Sequence, residues 1–262
     1  MSRQSQVDSR QSQVRAAEEK SPAAFFPKNG NNDQFKEAPV KRHHYAGLGA
    51  AVVATIALGT STLAGQAPAA AAANPSHTHI GHVMTMWKDT PGTQGFLPVA
   101  IADAKVAATH AGYMQKSPDN LDSMKLHAGH VLNALDPSIE MKGPGSGYGV
   151  KRAAAGASQH VQLAAKSEGA SKGVQTHAGH VTASLADVTQ WTDAAIATAQ
   201  KIRAATSASE AAPLVAELIA ETNNISNGVD ANKDGSIGWQ TGEGGLAQAN
   251  QHMMLMMKGE GL

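Results

Sequence analysis

An all-α fold is what this chain predicts, and three observations carry the expectation. Alanine and glycine are abundant, aromatics make up only 4% of the residues and β-branched runs are scarce, a composition that favours closely packed helices over sheet. Apolar residues recur at helical spacing, as in Leu121, Met124, Val131 and Leu135. One helical unit also occurs twice. Sliding Val106–Asp136 onto Gly156–Ala186 needs no gap and superposes His110 on His160, Lys116-Ser117 on Lys166-Ser167 and Leu135 on Leu185. About a third of the paired positions are identical, well above what an alanine-rich chain gives by chance, so the two segments read as a duplicated unit. Each unit reads as an αα-hairpin, and two hairpins predict an antiparallel four-helix bundle with approximate two-fold symmetry.

Taken in order, residues 1–40 form a polar extension. Ser2–Val7 recurs as Ser9–Val14 with nothing apolar to bury, the mark of a disordered segment. Lys41-Arg42-His43-His44 then precedes an uncharged stretch that ends in an alanine run at Ala73. A basic region, an apolar centre over Ala51–Leu63 and small residues before Asn74 make 41–73 a signal peptide, or a membrane anchor if it stays uncleaved. Residues 74–262 are therefore expected to be exported, periplasmic or extracellular. Loss of 1–73 removes eight basic and five acidic side chains and leaves 13 and 16, a net charge of −3.

The exported part divides into a histidine-rich bundle over 74–205, with repeat units at about 106–136 and 156–186, and a last section over 206–262. A short N-terminal helix carries His79, His82 and Met86 at i, i+3 and i+7 and stops at Pro91-Gly92. The second helix starts near Pro98, a residue suited to a first turn. Ser117–Asn120 is a turn that supplies an N-cap for a third helix ending at Asp136-Pro137. Gly143–Gly149 is a linker between the repeat units. A fourth helix covers about Val150–Lys166, and a fifth carries Val174, Val181, Leu185, Val188 and Trp191 on one stripe. Further helices follow Ser207 and begin at Leu246.

Histidine is the residue duplicated most faithfully. His127-Ala128-Gly129-His130-Val131 returns fifty positions on as His177-Ala178-Gly179-His180-Val181, and His79-Ile80-Gly81-His82-Val83 is a looser third copy. Two histidines at i and i+3 stand on neighbouring ridges with Cβ atoms about 5–6 Å apart, within reach of one ion. The single histidine of the partner helix supplies a third nitrogen. The expected sets are His110 with His127 and His130, and His160 with His177 and His180, as two equivalent sites or one shared site. His79 and His82 add an accessory pair. The glycine inside each copy costs about 1 kcal/mol relative to alanine, which predicts a neighbouring helix or a flat cofactor lying against the backbone there.

The totals narrow the chemistry. Balanced charge, 21 basic against 21 acidic side chains, gives no footprint for nucleic acid. The absence of cysteine excludes disulfides, thiolate ligands and a cysteine nucleophile. Neutral imidazole suits copper, zinc, nickel and iron, and methionine thioethers beside it favour copper, so Met84, Met86 and His252 are candidate additional ligands. The count of three histidines per hairpin is similar to that of the coupled dicopper proteins of the tyrosinase and haemocyanin families, though those pair histidines at i, i+4. A b-type haem between facing histidines, with Gly129 and Gly179 making room, is another reading. A structural envelope protein whose histidines merely pack is the third.

Asp230, Asn232, Asp234, Gly235, Ser236 and Ile237 stand at positions 1, 3, 5, 6, 7 and 8 of a pattern that resembles the EF-hand calcium loop. The resemblance covers about 210–258 and implies a helix-loop-helix that binds Ca²⁺ through Asp230, Asn232, Asp234 and Ser236. The chain departs from the pattern at position 12, where Thr241 replaces the bidentate Glu and Glu243 lies two residues beyond. No Gly-x-Ser-x-Gly, phosphate-cradling loop or His-Glu-x-x-His occurs. The expectation is a metal-binding, buffering or sensing protein rather than an enzyme, with metal ions as partners and no membrane contact beyond the N-terminal segment.

Overall fold

A computed structural model describes residues 74–262, so the expectations for the 1–40 extension and the 41–73 signal segment lie outside the described residues. Among the described residues there are seven α-helices, one short 3₁₀ turn and no strand, so the protein is all-α. In chain order the helices are α1 (Pro75–Met84), α2 (Phe96–Gln115), α3 (Leu121–Leu135), α4 (Val150–Lys166), α5 (Lys172–Ala204), α6 (Ala208–Asn227) and α7 (Leu246–Glu260). No helix among them is long and apolar enough to cross a membrane.

The helix starts follow local chemistry. Asn74, Asn120, Ser171 and Ser207 each turn a side-chain oxygen back onto a backbone N–H of the first turn, at Ser76, Ser123, Val174 and Glu210 respectively. Pro91–Thr93 forms the 3₁₀ turn that separates α1 from α2.

Alanine sets how closely the helices approach. The buried face of α2 presents Ala100, Ala104, Ala107 and Ala111, and that of α4 presents Ala153, Ala154, Ala157 and Ala164. Small side chains at a helix contact shorten the interaxial distance. Larger groups fill the remaining core, among them Leu132, Leu135, Leu185, Ile202, Leu218 and Met253, all essentially fully buried. Each such side chain contributes about 1.5–3 kcal/mol by leaving water.

Helix neighbours decide where the histidines go. α2 packs on α3, α3 on α5, α5 on α4 and α4 on α2. The long α5 also carries α6 and α7 along its length, while α1 lies chiefly against α4.

The glycine-rich segment between the repeat units is tied down. Buried Asp103 of α2 accepts hydrogen bonds from the Ser146 amide (2.7 Å), the Ser146 hydroxyl (2.6 Å) and the Gly149 amide (2.9 Å). Asn133 of α3 holds the other side, donating to the Glu140 carbonyl and accepting from the Gly145 amide, both at 2.9 Å. Gly149 adopts φ +85°, a left-handed conformation that makes glycine the natural residue just before α4.

Candidate metal centre

Ten histidines lie among the described residues, and nine of them form three triads whose ring nitrogens lie within 4.8 Å of one another. The first joins His79 and His82 of α1 to His160 of α4. The second joins His127 and His130 of α3 to His110 of α2. The third joins His177 and His180 of α5 to His252 of α7. Every triad has the same plan, an i, i+3 pair on one helix and a single histidine reaching across from the helix packed beside it. The tenth, His77, instead meets Glu260, with Nε2 at 2.8 Å from Oε2.

In each triad Nδ1 of the single histidine faces Nδ1 of both pair members. His160 stands 3.0 Å from His79 and 3.2 Å from His82. His110 is 3.0 Å from His127 and 3.2 Å from His130, and His252 is 3.1 Å from His177 and 3.4 Å from His180. A neutral imidazole Nδ1 carries either a proton or a lone pair, so without an ion a triad can make at best one shared hydrogen bond. An ion uses all three lone pairs. Two nitrogens bound at about 2.0–2.1 Å lie about 3.3 Å apart at the tetrahedral angle and about 2.9 Å apart at a right angle. Five of the six observed spacings fall in that range, and the sixth, between His180 and His252 at 3.4 Å, lies at its upper edge.

Burial and neighbouring imidazoles favour the neutral form of six of the donors. Burial first, and then the nearby imidazoles of His82 and His79, push the pKa of His160 down to about 4. His252 is lowered to about 4 by burial and by His180 and His177. Burial with neighbouring histidines also lowers His110, His82, His127 and His180. Charging one imidazole beside two others is unfavourable, and neutral imidazole is the form that ligates.

Each triad also touches an aromatic ring. Trp87 packs on His82 and His160 with centroids at 4.8 and 4.7 Å, and Phe96 stacks behind His160 at 5.3 Å. Tyr113 meets His110 at 5.2 Å and His127 at 5.3 Å. Trp239 lies nearly parallel to His180, centroids 3.9 Å apart and planes inclined by 17°. These aromatics come from unrelated places in the chain, so the duplication does not account for them, and no repeat pattern marks them in the sequence.

Comparison with family models, curated proteins and solved structures finds no match for this chain.

The structure regroups two of the sets expected from the sequence. His110, His127 and His130 come together across their own hairpin. His160 does not join His177 and His180; it faces α1, and His252 completes the set on α5. The register of His160 on its helix does match that of His110, since the neighbouring Ala157 and Val161 are buried as Ala107 and Ala111 are. What differs is the helix lying on that side of α4, which is α1.

The glycine expectation is also corrected within this chain. A Cβ at Gly81 or Gly179 would meet no atom within 4 Å, and one at Gly129 only Glu140 Oε2 at 4.0 Å. Helix geometry explains this. At about 100° per residue, Gly81 points away from buried Ile80 and Val83, toward solvent. Of the sulfur candidates, Met84 packs against the apolar core and Met86 is largely exposed.

The loop between α6 and α7 is folded around its own acidic and amide side chains. Asp230 accepts from the amides of Asp234 (3.1 Å) and Gly235 (2.9 Å), Asn232 from Asp234 (2.8 Å), and Asp234 from Ser236 (2.9 Å). Gly235 has φ +88°, the left-handed conformation of the sharp turn. Glu243, only 4% exposed, reaches back and accepts from the amides of Asn232 (3.3 Å) and Gly238 (3.0 Å). Thr241 is exposed.

Proposed function

We propose that this protein binds transition-metal ions at three three-imidazole sites, with copper or zinc as the favoured ions, and that it acts in metal binding, buffering or sensing. The observation that carries the reading is the approach of one Nδ1 to two others at 3.0–3.4 Å, with all three ligand nitrogens within 4.8 Å, built three times from different helix pairs. Histidines conserving only a packing role have no need to aim lone pairs at a common point. All-nitrogen, thiol-free donor sets suit Cu²⁺ and Zn²⁺ among the divalent ions. Facing Nδ1 atoms this close favour a bare ion over a haem plane, and three triads on three separate helix pairs favour mononuclear sites over a dicopper pair.

The finer architectural reading is that α2 to α5 form a four-helix bundle of two related hairpins, framed by α1, α6 and α7. We also read the Asp230–Glu243 loop as an oxygen-donor cation site of calcium type. The left-handed Gly235 and the inward carboxylate of Glu243 support it, with Asp230, Asn232, Asp234 and Ser236 as the other donors. Export through the 41–73 segment places these sites outside the cytoplasm in this reading.

Metal titration of the purified protein tests the function. Three Cu²⁺ or Zn²⁺ ions per chain are expected, falling to two on His110→Ala. Retention of no ion at micromolar concentration and pH 7 would overturn the reading and leave the packing role. A Soret band in protein from its native source would replace it with haem.

A further inference from the structure

The loop that joins α6 to α7 does more than connect them. It rests on the third triad, and apart from its junction with α6, where the Gly228 amide donates to the Asn224 carbonyl at 2.8 Å, it is anchored on the two helices that supply that triad. Asp187, two turns beyond His180 on α5, is buried and accepts the Gly242 amide at 2.9 Å. Gly244 lies so close to Ser184, one turn beyond His180, that a Cβ there would collide with it. Gln248, one turn before His252 on α7, donates to the Ile237 carbonyl at 2.7 Å. Between these anchors stands Trp239, with its indole stacked on the His180 imidazole at 3.9 Å. The buried Glu243 carboxylate fastens the two arms of the loop by accepting the Asn232 and Gly238 amides.

We infer that the 228–245 loop is a strap that positions the third triad through Trp239, so that loop and triad behave as one coupled unit while the other two triads act independently. A His ring is free to turn about χ2, and only one orientation aims Nδ1 at the ion position. A flat indole at van der Waals distance removes the competing orientations of His180 before the ion arrives, and such preorganisation raises affinity without adding a ligand. Trp87 and Tyr113 touch their triads edge-on or tilted, from just beyond α1 and from the last turn of α2. Phe96, in the first turn of α2, stacks on His160 at 5.3 Å with planes inclined by 29°, whereas the closer and more nearly parallel ring on the third triad is carried on a separately anchored loop. Coupling of this kind is reciprocal: metal at the triad should tighten the loop as much as an ordered loop tightens metal.

The inference rests on the metal reading, and the experiment separates the two. Full-length protein carrying His79→Ala and His130→Ala keeps the third triad intact, and protein carrying His79→Ala and His180→Ala keeps the second. Affinity for Zn²⁺ alone is measured by chelator competition, with Cu²⁺ electron paramagnetic resonance as a second readout and helical circular dichroism as the folding check. In the first background Trp239→Ala should weaken Zn²⁺ binding about 10-fold or more, the scale of losing a group that orients a ligand. Trp239→Phe should recover most of it and restore the parent Cu²⁺ spectrum, and Glu243→Gln should weaken binding in the same direction. In the second background all three should leave affinity unchanged. Equal affinity for Trp239→Ala and its parent, no rescue by Phe, or losses of equal size in both backgrounds would overturn the strap. Failure of both parent proteins to bind Zn²⁺ would instead overturn the metal reading on which it stands.

Discussion

Replacing His252 by alanine isolates the least expected feature of the protein. His252 Nδ1 is 3.1 Å from His177 and 3.4 Å from His180, so its loss removes one donor of three and leaves an i, i+3 pair on α5. Groups that merely orient a ligand are worth 10–100-fold in metal affinity, so losing the ligand itself should cost at least about 100-fold, or about 3 kcal/mol. Competition with a chelator of known affinity reads the loss, and stoichiometry should fall from three ions to two. Fluorescence assigns it to a site. Trp239 lies on His180 and Trp87 on His82 and His160, so Cu²⁺ at the third triad quenches the first indole and Cu²⁺ at the first triad quenches the second. His252→Ala should abolish quenching of Trp239 and spare that of Trp87, and His160→Ala should do the reverse. If His160→Ala removed the ion beside Trp239 while His252→Ala left it in place, the assignment of histidines to helix pairs would be refuted.

Other expectations follow from the same geometry. Gly179→Ala should stabilise α5 by about 1 kcal/mol, because nothing lies within 4 Å of the added methyl; a fall in melting temperature would contradict the open surface seen there. Asp103→Ala should cost about 3 kcal/mol in denaturant unfolding, since it strands two amides and a hydroxyl in the segment before α4. A wild-type midpoint in that variant would show that the tie is incidental. The metal-free protein should lose stability as pH falls from about 6.5 to about 4. The unfolded chain takes up protons at its histidines through this window, whereas folded His160 and His252 stay neutral until about 4. A melting temperature that is flat or rises on acidification over that range would refute the shifts.

Much of the local structure was legible in the residues. Asn120 and Ser207 announced the starts of α3 and α6, and Asp136-Pro137 the end of α3, because caps and proline act over one or two turns. The i, i+3 histidine pairs were legible for the same reason, and so was the register that turns His110 and His160 toward the same side of their helices. The aromatic partners were not legible. Trp87, Tyr113 and Trp239 stand at unrelated distances from the pairs they touch, so spacing carries no signal for them. The approach of Glu243 to the loop backbone likewise depends on a path between α6 and α7 that no short-range rule sets.

What the sequence by itself determined is an all-helical chain with a duplicated unit and three histidine pairs, each held on one face of a helix. Periodicity and capping are properties of neighbouring residues, and these suffice to orient a side chain on its own helix. Which helix lies opposite that side chain is a different matter. His160 and His110 share a register, yet one faces α1 and the other α3; His177 and His180 are completed by a residue more than seventy positions away. Those pairings arise when alanine-lined faces and buried leucines choose their neighbours across the whole chain, and only the tertiary structure decided them.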